Sequence, residues 1–224
     1  MDSTVEPREL LSTDGTKIAW FELGQGAPLV LAGGLVGRRA IWRSLFSSLA
    51  DDYRILGWDL RGLWGSDAPI EPTHYSLDWH ARDLRDVMDA AGIDRAILIG
   101  WSTGVQVDFE FYRRWPDRVA GLVLICGTYG RVFEGTLNWR GTQHVIPIAT
   151  GAAAQLHNLV SSTLGRVAGS KRLVTYLKLT GAVAPAADSD ALIEITEELG
   201  AHDVRAFMSL AREMGDQDAT ELLE

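Results

Sequence analysis

The sequence predicts an α/β fold in which a mostly parallel sheet is flanked by helices, and two observations support this. From Pro28 onward, short apolar runs alternate with amphipathic segments, as strands and helices do around a parallel sheet. One run, residues 96–99, leads into a serine between two glycines, and a helical segment follows at once. The 224 residues suffice for one domain with a sizeable core.

The elements are predicted in the following order. Two strand-like runs at the start of the chain are separated by Asp14-Gly15, a strong hairpin signal. Six strands are predicted, at residues 7–11, 17–23, 28–32, 53–58, 96–99 and 119–126. Helices are predicted at residues 40–50, 77–91 and 105–115.

The character of the sequence changes after Gly127. Residues 130–200 hold no convincing strand, and helices are predicted at residues 152–164, 171–179 and 190–199, with a last amphipathic helix at 203–214. We expect three parts: a core at residues 1–129, a helical lid at 130–200, and a helix at 201–224 that returns to the core. Such a lid would lie over the carboxyl ends of the strands, where open α/β sheets bind ligands.

Composition and charge exclude several classes of function. A net charge of −9 disfavours nucleic acid and anionic membranes as partners, and no apolar run is long enough to span a bilayer. The N-terminus lacks the features of a secretory signal, and the single Cys126 cannot form an internal disulfide, so we expect a cytoplasmic protein. Within its apolar strand, Cys126 is expected to be a small core residue. No metal and no cofactor are predicted, because no histidines, cysteines and acids cluster at ligand spacing.

The motif Gly100-Trp101-Ser102-Thr103-Gly104 carries the main chemical signal. A serine on a sharp strand-to-helix turn takes a strained backbone angle and lifts its hydroxyl clear of the sheet. Glycines two residues before and after it are needed because strand and helix approach too closely for a Cβ. Trp101 is expected to pack beneath the turn.

Three motifs together resemble the α/β-hydrolase family. The first is the serine turn, and the second is the strand ending in Gly33-Gly34-Leu35, similar to the family's His-Gly-x. The third, Asp59-Leu60-Arg61-Gly62-Leu63-Trp64-Gly65-Ser66-Asp67, is similar to the family's Asp-x-Arg-Gly-x-Gly-x-Ser. The serine turn is closest to small carboxylesterases with Gly-Trp-Ser-x-Gly, among them the pimeloyl-carrier-protein methyl ester esterases. The resemblance covers residues 7–129 and implies the α/β-hydrolase fold.

The resemblance also implies a set of catalytic roles. Ser102 would be the nucleophile that attacks the carbonyl of a small-molecule acyl substrate. The backbone N–H groups of Leu35 and Thr103 would form the oxyanion hole, and Gly100 and Gly104 would be the glycines of the turn.

The sequence departs from the family pattern in its loops. Gly33 stands where the family usually has histidine, which removes a side chain that often braces the oxyanion loop. Trp64 stands at a usual glycine position, with Gly65 one place late, so we expect this loop to bend differently. Asp59 and Arg61 are interpreted as residues that buttress the end of a strand.

The acid and base of a catalytic triad are not present at family positions. In the family the acid and then the histidine follow strands after the lid, and these last two strands are absent. The histidines are His74, His80, His144, His157 and His202, and none follows a strand as the family's base does. Glu134 is the only acid near a position that some relatives use. We therefore assign no base.

Two other functions stay open alongside the serine hydrolase. The chain could be a binding module that keeps the fold without catalysis, or a fragment of a longer hydrolase. A dinucleotide-binding domain is less favoured, because Gly33-Gly34-x-x-Gly37 is not the G-x-G-x-x-G fingerprint.

The last predicted strand has the composition of an interior parallel strand but no predicted strand beyond it. It would therefore form an exposed edge of the sheet, and we hypothesise self-association through this edge.

Overall fold

The structure is a computed structural model that describes residues 7–36, 42–130, 166–201, 206–210, 212 and 218–223. The strands are β1 (Arg8–Leu11), β2 (Lys17–Leu23), β3 (Ala27–Ala32), β4 (Tyr53–Trp58), β5 (Ala96–Trp101) and β6 (Val119–Ile125). The helices are α1 (Arg43–Leu49), α2 (Leu77–Ala90), α3 (Thr103–Arg114), α4 (Lys171–Leu179) and α5 (Ser189–Ala201).

The described strands form one mixed sheet in the order β1-β2-β4-β3-β5-β6. β1 and β2 form an antiparallel hairpin, and β2 pairs antiparallel with β4. β4, β3, β5 and β6 run parallel, as the alternation of strands and helices predicts. In the hairpin turn, Gly15 has a φ of +83°, and the Asp14 carboxylate accepts a hydrogen bond from the Thr16 N–H at 3.0 Å.

The predicted strands and helices of the first 125 residues are confirmed, with shifts of one to three residues at half of their ends. The largest shift is in α1, which begins at Arg43 and not at residue 40. Helix α4 has the predicted bounds, and α5 is slightly longer than predicted. The predicted helix at residues 152–164 lies outside the described residues. Of the last predicted helix, residues 206–210 and 212 are described, and they are helical. No helix within the described part of the chain is long and apolar enough to cross a membrane.

The apolar core lies on both faces of the sheet. On one face, α2 and α3 pack against the strands through fully buried side chains, among them Leu84 and Met88 of α2 and Phe111 of α3. On the other face, α1 packs over Leu31 and Ile55. Both faces of the central parallel strands are thus covered, which explains why their sequences are continuously apolar.

Cys126 contradicts its prediction as a core residue. It lies one residue beyond β6, its side chain is exposed, and its φ is +51°. The physical reason is that β6 is the edge of the described sheet, so no described strand lies on the outer side of the residue that follows it.

Candidate active site

Ser102 is the single residue between the end of β5 and the start of α3. Its φ is +55° and its ψ is −117°, a backbone conformation that residues other than glycine rarely adopt. Its N–H donates to the carbonyl of Ile125 in β6 at 3.0 Å, and its carbonyl accepts from the N–H of Val105 at 3.1 Å. Both backbone hydrogen bonds hold the serine in this strained conformation.

The neighbouring glycines allow the strand and the helix to approach each other. A Cβ on Gly104 would overlap the carbonyl oxygen of Ala32 in β3. A Cβ on Gly100 would lie 2.8 Å from the Cα of Val105, closer than such atoms approach in proteins. Larger residues at these two positions would therefore push α3 away from the sheet.

The loop that follows β3 runs past the serine. A Cβ on Gly34 would lie 3.1 Å from the Cβ of Ser102 and 2.6 Å from the ring of Trp101. Leu35, the next residue, is half-buried and packs against the core. Thr103 is buried in the first turn of α3, at the positive end of the helix dipole. Thr103 thus follows Ser102 directly, and Leu35 follows Gly34, which lies close to Ser102. The role of both residues in binding an oxyanion stays a prediction.

A buried carboxyl group lies under this turn, at Asp108 in α3. Its side chain is fully buried, and neither carboxyl oxygen has a hydrogen-bond partner among the described residues. A Cβ on Gly100 would lie 2.6 Å from its Oδ2, so the carboxyl group touches the backbone that leads to Ser102. Burial raises the pKa of Asp108 well above its ordinary value, which favours the neutral acid.

Of the two described histidines, one is paired with a carboxylate and the other is fully buried. The Nδ1 of His74 lies 2.7 Å from the Asp14 carboxylate, and its ring stacks on Trp79 at 4.0 Å between centroids. His80 is fully buried; burial, aided by the charge of Arg61, lowers its pKa to about 3, so the ring is neutral at neutral pH. Glu134, His144, His157 and His202 lie outside the described residues.

The loop after β4 is built around two buried polar residues. The carboxylate of Asp59 accepts from the Gly65 N–H at 3.0 Å, and its carbonyl accepts from the Ser66 hydroxyl at 2.7 Å. The guanidinium of Arg61 has no exposed surface, donating to Asp83 at 2.5 and 2.7 Å and to Asp14 at 2.6 Å. The interpretation of Asp59 and Arg61 as buttresses of the strand end is consistent with these contacts.

The same loop shows how the sequence accommodates a missing glycine. Trp64 adopts a φ of +51°, the left-handed conformation that favours glycine. The left-handed bend thus lies at Trp64 itself, and the expectation that this loop bends differently from the family's stays a prediction.

Sequence reasoning missed Asp108 and the partners of Arg61. Helical spacing could have identified Asp108, because it lies four residues after Gly104 and therefore on the same face of α3. The partners of Arg61 lie 22 and 47 residues away in the chain, and no local pattern predicts them. The described residues contain no group of three or more histidine, cysteine or acidic side chains placed to hold a metal.

Comparison with known proteins adds an independent finding. A family model described as "alpha/beta hydrolase fold" matches residues 27–161, more than half of the chain. A solved structure of a thermophilic esterase from Thermogutta terrifontis superposes with a TM-score of 0.71 at 19% sequence identity. It covers 97% of this chain and 75% of the esterase chain, and at this identity it shows the fold alone.

Relatives also match by sequence, among them an epoxide hydrolase and RutD. Epoxide hydrolase 4 of Homo sapiens is 32% identical over 92 residues, which is 41% of this chain and 25% of that protein. RutD of Azorhizobium caulinodans, a protein named as a carbamate hydrolase, is 32% identical over 109 residues, which is 48% of this chain and 40% of RutD. The chain therefore matches less than half the length of either relative.

Proposed function

The chain belongs to the α/β-hydrolase family, and we propose that it cleaves an ester or related acyl bond through Ser102. The observation that carries this proposal is the backbone of Ser102, which is held at a φ of +55° between a strand and a helix. Strain of this kind costs about 1–3 kcal/mol and persists where function requires it.

The proposed reaction proceeds by acyl transfer. The Ser102 hydroxyl attacks the substrate carbonyl, its proton passes to a base, and the carbonyl oxygen becomes an oxyanion. The N–H groups of Leu35 and Thr103 stabilise this oxyanion, and each such donor contributes roughly 10²–10³ in rate. The oxyanion collapses, and the leaving group departs with the proton that the base has taken. Water then hydrolyses the acyl-enzyme ester, which releases the carboxylic acid and restores the Ser102 hydroxyl. No base is assigned, since His74 is paired with Asp14 and His80 is fully buried.

Ester cleavage is favoured over epoxide opening by the chemistry of serine itself. A serine that attacked an epoxide carbon would form an ether, which water does not cleave under mild conditions. A serine that attacks an acyl carbonyl forms an ester, which water hydrolyses. Similarity to an epoxide hydrolase therefore supports the fold of this chain and not that activity.

The second candidate is a binding module that retains the fold without catalysis. It is favoured by the engagement of His74 with Asp14 and by the complete burial of His80. In this case the serine would keep its position but would have no base to activate it.

The test is hydrolysis of short-chain p-nitrophenyl esters by the wild type, Ser102→Ala and Ser76→Ala. Ser76 is a matched control because it is also half-buried and also precedes a helix without a side-chain capping bond. We expect Ser102→Ala to lower the rate by more than about 10³-fold, Ser76→Ala to keep it, and styrene oxide to remain intact. Ester turnover that survives Ser102→Ala would contradict the proposal. A folded wild type without turnover would favour the binding module.

We also propose a cytoplasmic location. The described chain has no helix able to cross a membrane, and its one cysteine is a free thiol, which suits a reducing compartment.

A further inference from the structure

Asp108 is a buried carboxyl group that the proposed reaction does not use. Its side chain has no exposed surface, and neither carboxyl oxygen has a hydrogen-bond partner in the described part of the chain. An ionised carboxylate in such surroundings would lose its hydration without any compensating contact. Burial accordingly raises the pKa of Asp108, and the side chain is buried as the neutral acid.

Helix α3 places this carboxyl group against the strand that leads to Ser102. Asp108 lies one helical turn after Gly104, so both residues face the sheet. At Gly104 the helix lies so close to β3 that a Cβ would be 1.9 Å from the carbonyl oxygen of Ala32. At Gly100 in β5, a Cβ would be 2.6 Å from the Oδ2 of Asp108. The carboxyl group is therefore the next contact between α3 and the sheet after Gly104.

The two partners in this contact differ in how firmly they are held. The backbone of Gly100 lies in the parallel sheet between Ala32 of β3 and Leu124 of β6. Helix α3 follows β5 after one residue, Ser102, whose carbonyl accepts a hydrogen bond from the Val105 N–H at 3.1 Å. A repulsion between the carboxyl group and the strand would therefore displace α3 and the Ser102 turn and leave β5 in place.

The elements packed against α3 present no opposite charge to Asp108. Strands β3, β5 and β6 carry no titratable side chain, and Cys126, one residue beyond β6, is exposed. The buried titratable groups of α2, His80 and Asp83, lie near Arg61. The charged side chains that link α3 and the turn after it to their neighbours pair with one another: Asp78 and Glu110 with Arg114, Glu110 and Glu221 with Arg113, and Asp89 with Arg118.

We propose that Asp108 is a positioning residue for Ser102 and Thr103, because its neutral carboxyl group lets α3 lie against β5 and its ionisation separates them. A charged carboxylate needs hydrogen-bond donors or water, and water reaches this group only if α3 moves away from the sheet. The movement would shift the Ser102 hydroxyl and the Thr103 N–H, since both lie at the start of α3. The kinetic consequence rests on the proposed acyl transfer at Ser102, whereas the movement itself does not.

The proposal sets an upper pH limit for the activity. The raised pKa of Asp108 means that this carboxyl group ionises at a higher pH than an exposed aspartate does. Displacement of the Thr103 N–H would weaken binding of the transition state more than binding of the substrate. Ionisation should therefore lower kcat and leave KM nearly unchanged.

The first test is the pH dependence of p-nitrophenyl ester hydrolysis, corrected for the rate with Ser102→Ala. We expect kcat of the wild type to fall reversibly, by about tenfold or more between pH 7 and pH 10, with KM nearly unchanged. Asp108→Asn and Asp108→Ala remove the ionisable group, so their kcat should stay within about twofold over this range. A wild-type kcat that does not fall, or an equal fall in the wild type and both variants, would overturn the proposal.

Glu110→Gln is the matched control for this experiment. It also removes a carboxyl group from α3, but one that is paired with Arg113 and Arg114. We expect this variant to keep the alkaline fall of the wild type. Loss of the fall in Glu110→Gln would show that any carboxyl group of α3 has the same effect, which contradicts the specific role of Asp108.

Carbon-13 NMR tests the movement without relying on turnover. The carbonyls of Ser102 and Ile125 accept the hydrogen bonds that hold the turn, so their resonances report its geometry. In the wild type we expect both to shift with pH at the same midpoint as the carboxyl carbon of Asp108, and in Asp108→Asn we expect no such shift. The carbonyl of Ala19, which accepts from the Asp59 N–H at 2.8 Å, is the control and should not share this midpoint.

The two experiments separate this proposal from the proposed function. A folded wild type without ester turnover but with the shared midpoint would contradict acyl transfer and support the coupling of Asp108 to the turn. Titration of Asp108 that leaves the carbonyls of Ser102 and Ile125 unchanged would overturn the coupling. A transition that includes Ala19 would also overturn it, because the whole sheet would then be unfolding.

Discussion

At the scale of single residues, the strained backbone of Ser102 has an energetic cost that can be measured. Glycine adopts a positive φ without steric cost, whereas serine at +55° does not. We therefore expect Ser102→Gly to be more stable than Ser102→Ala by about 1 kcal/mol, because alanine keeps the strain. Urea unfolding of the two variants measures the difference. Equal stabilities would show that the turn holds no such strain.

Asp108 gives a pH dependence whose sign can be worked out. Burial raises the pKa of Asp108 in the folded protein, so the folded state holds its proton more tightly than the unfolded chain does. Stability is therefore lost as the pH rises from the unfolded pKa towards the raised one. The loss is about 1.4 kcal/mol for each pH unit in that interval.

Asp108→Asn removes this titration. We expect the variant to gain stability relative to the wild type between pH 4 and pH 7, with little change in the difference below about pH 4. Unfolding by urea across this pH range provides the measurement. A difference that does not vary with pH would mean that the carboxyl group is not held neutral.

At this scale the sequence predicted the turn at Ser102 better than it predicted the surroundings of each side chain. Ser102, Gly100 and Gly104 form a local pattern, so a short motif was enough to find their turn. Cys126 was misplaced because burial depends on whether another strand lies beside β6, and its own neighbours in the chain do not encode that.

At the scale of elements, Arg61 connects the β1–β2 turn to α2. Burial opposes charge at Asp14, but hydrogen bonds from Arg61, Thr16 and His74 together outweigh it and lower the pKa of this carboxyl group. Burial raises the pKa of Asp83, which lies deeper, against the opposing effect of the same guanidinium. The turn and the helix thus depend on one cation.

Removing that cation would leave two carboxyl groups without their main partner. We expect Arg61→Ala to lower the free energy of unfolding by about 3–5 kcal/mol, the usual cost of breaking a buried ion pair. Arg82→Ala is the control, because Arg82 forms an i,i+4 ion pair with Asp78 at the surface of α2. This substitution should lower the free energy of unfolding by less than about 1 kcal/mol. Similar losses of stability in both variants would contradict the claim that burial makes the ion pairs of Arg61 costly to break.

The turns, strands and helices could be predicted where a short sequence pattern determines them. The Asp14-Gly15 turn, the apolar runs and the spacing of Leu84 and Met88 each follow from short-range rules, and the structure confirms them. The start of α1 was less predictable, because Trp42 precedes it and not one of the small polar residues that usually cap a helix.

At the scale of the whole molecule, the alternation of strands and helices in the sequence predicts the fold but not the activity. Parallel strands with connecting helices can be derived from alternation, and the family comparison agrees with that derivation. The same fold hosts many chemistries, so the activity must be argued from the site. Here the site is one strained serine at the carboxyl end of β5, with the loop after β3 beside it.

The most direct test of this account is the intact mass of the protein after reaction with a fluorophosphonate. The account predicts one covalent adduct per chain, mapped to Ser102, and no adduct on folded Ser102→Ala. An adduct on another residue, or a folded wild-type chain that does not react, would contradict the claim that Ser102 is an activated nucleophile.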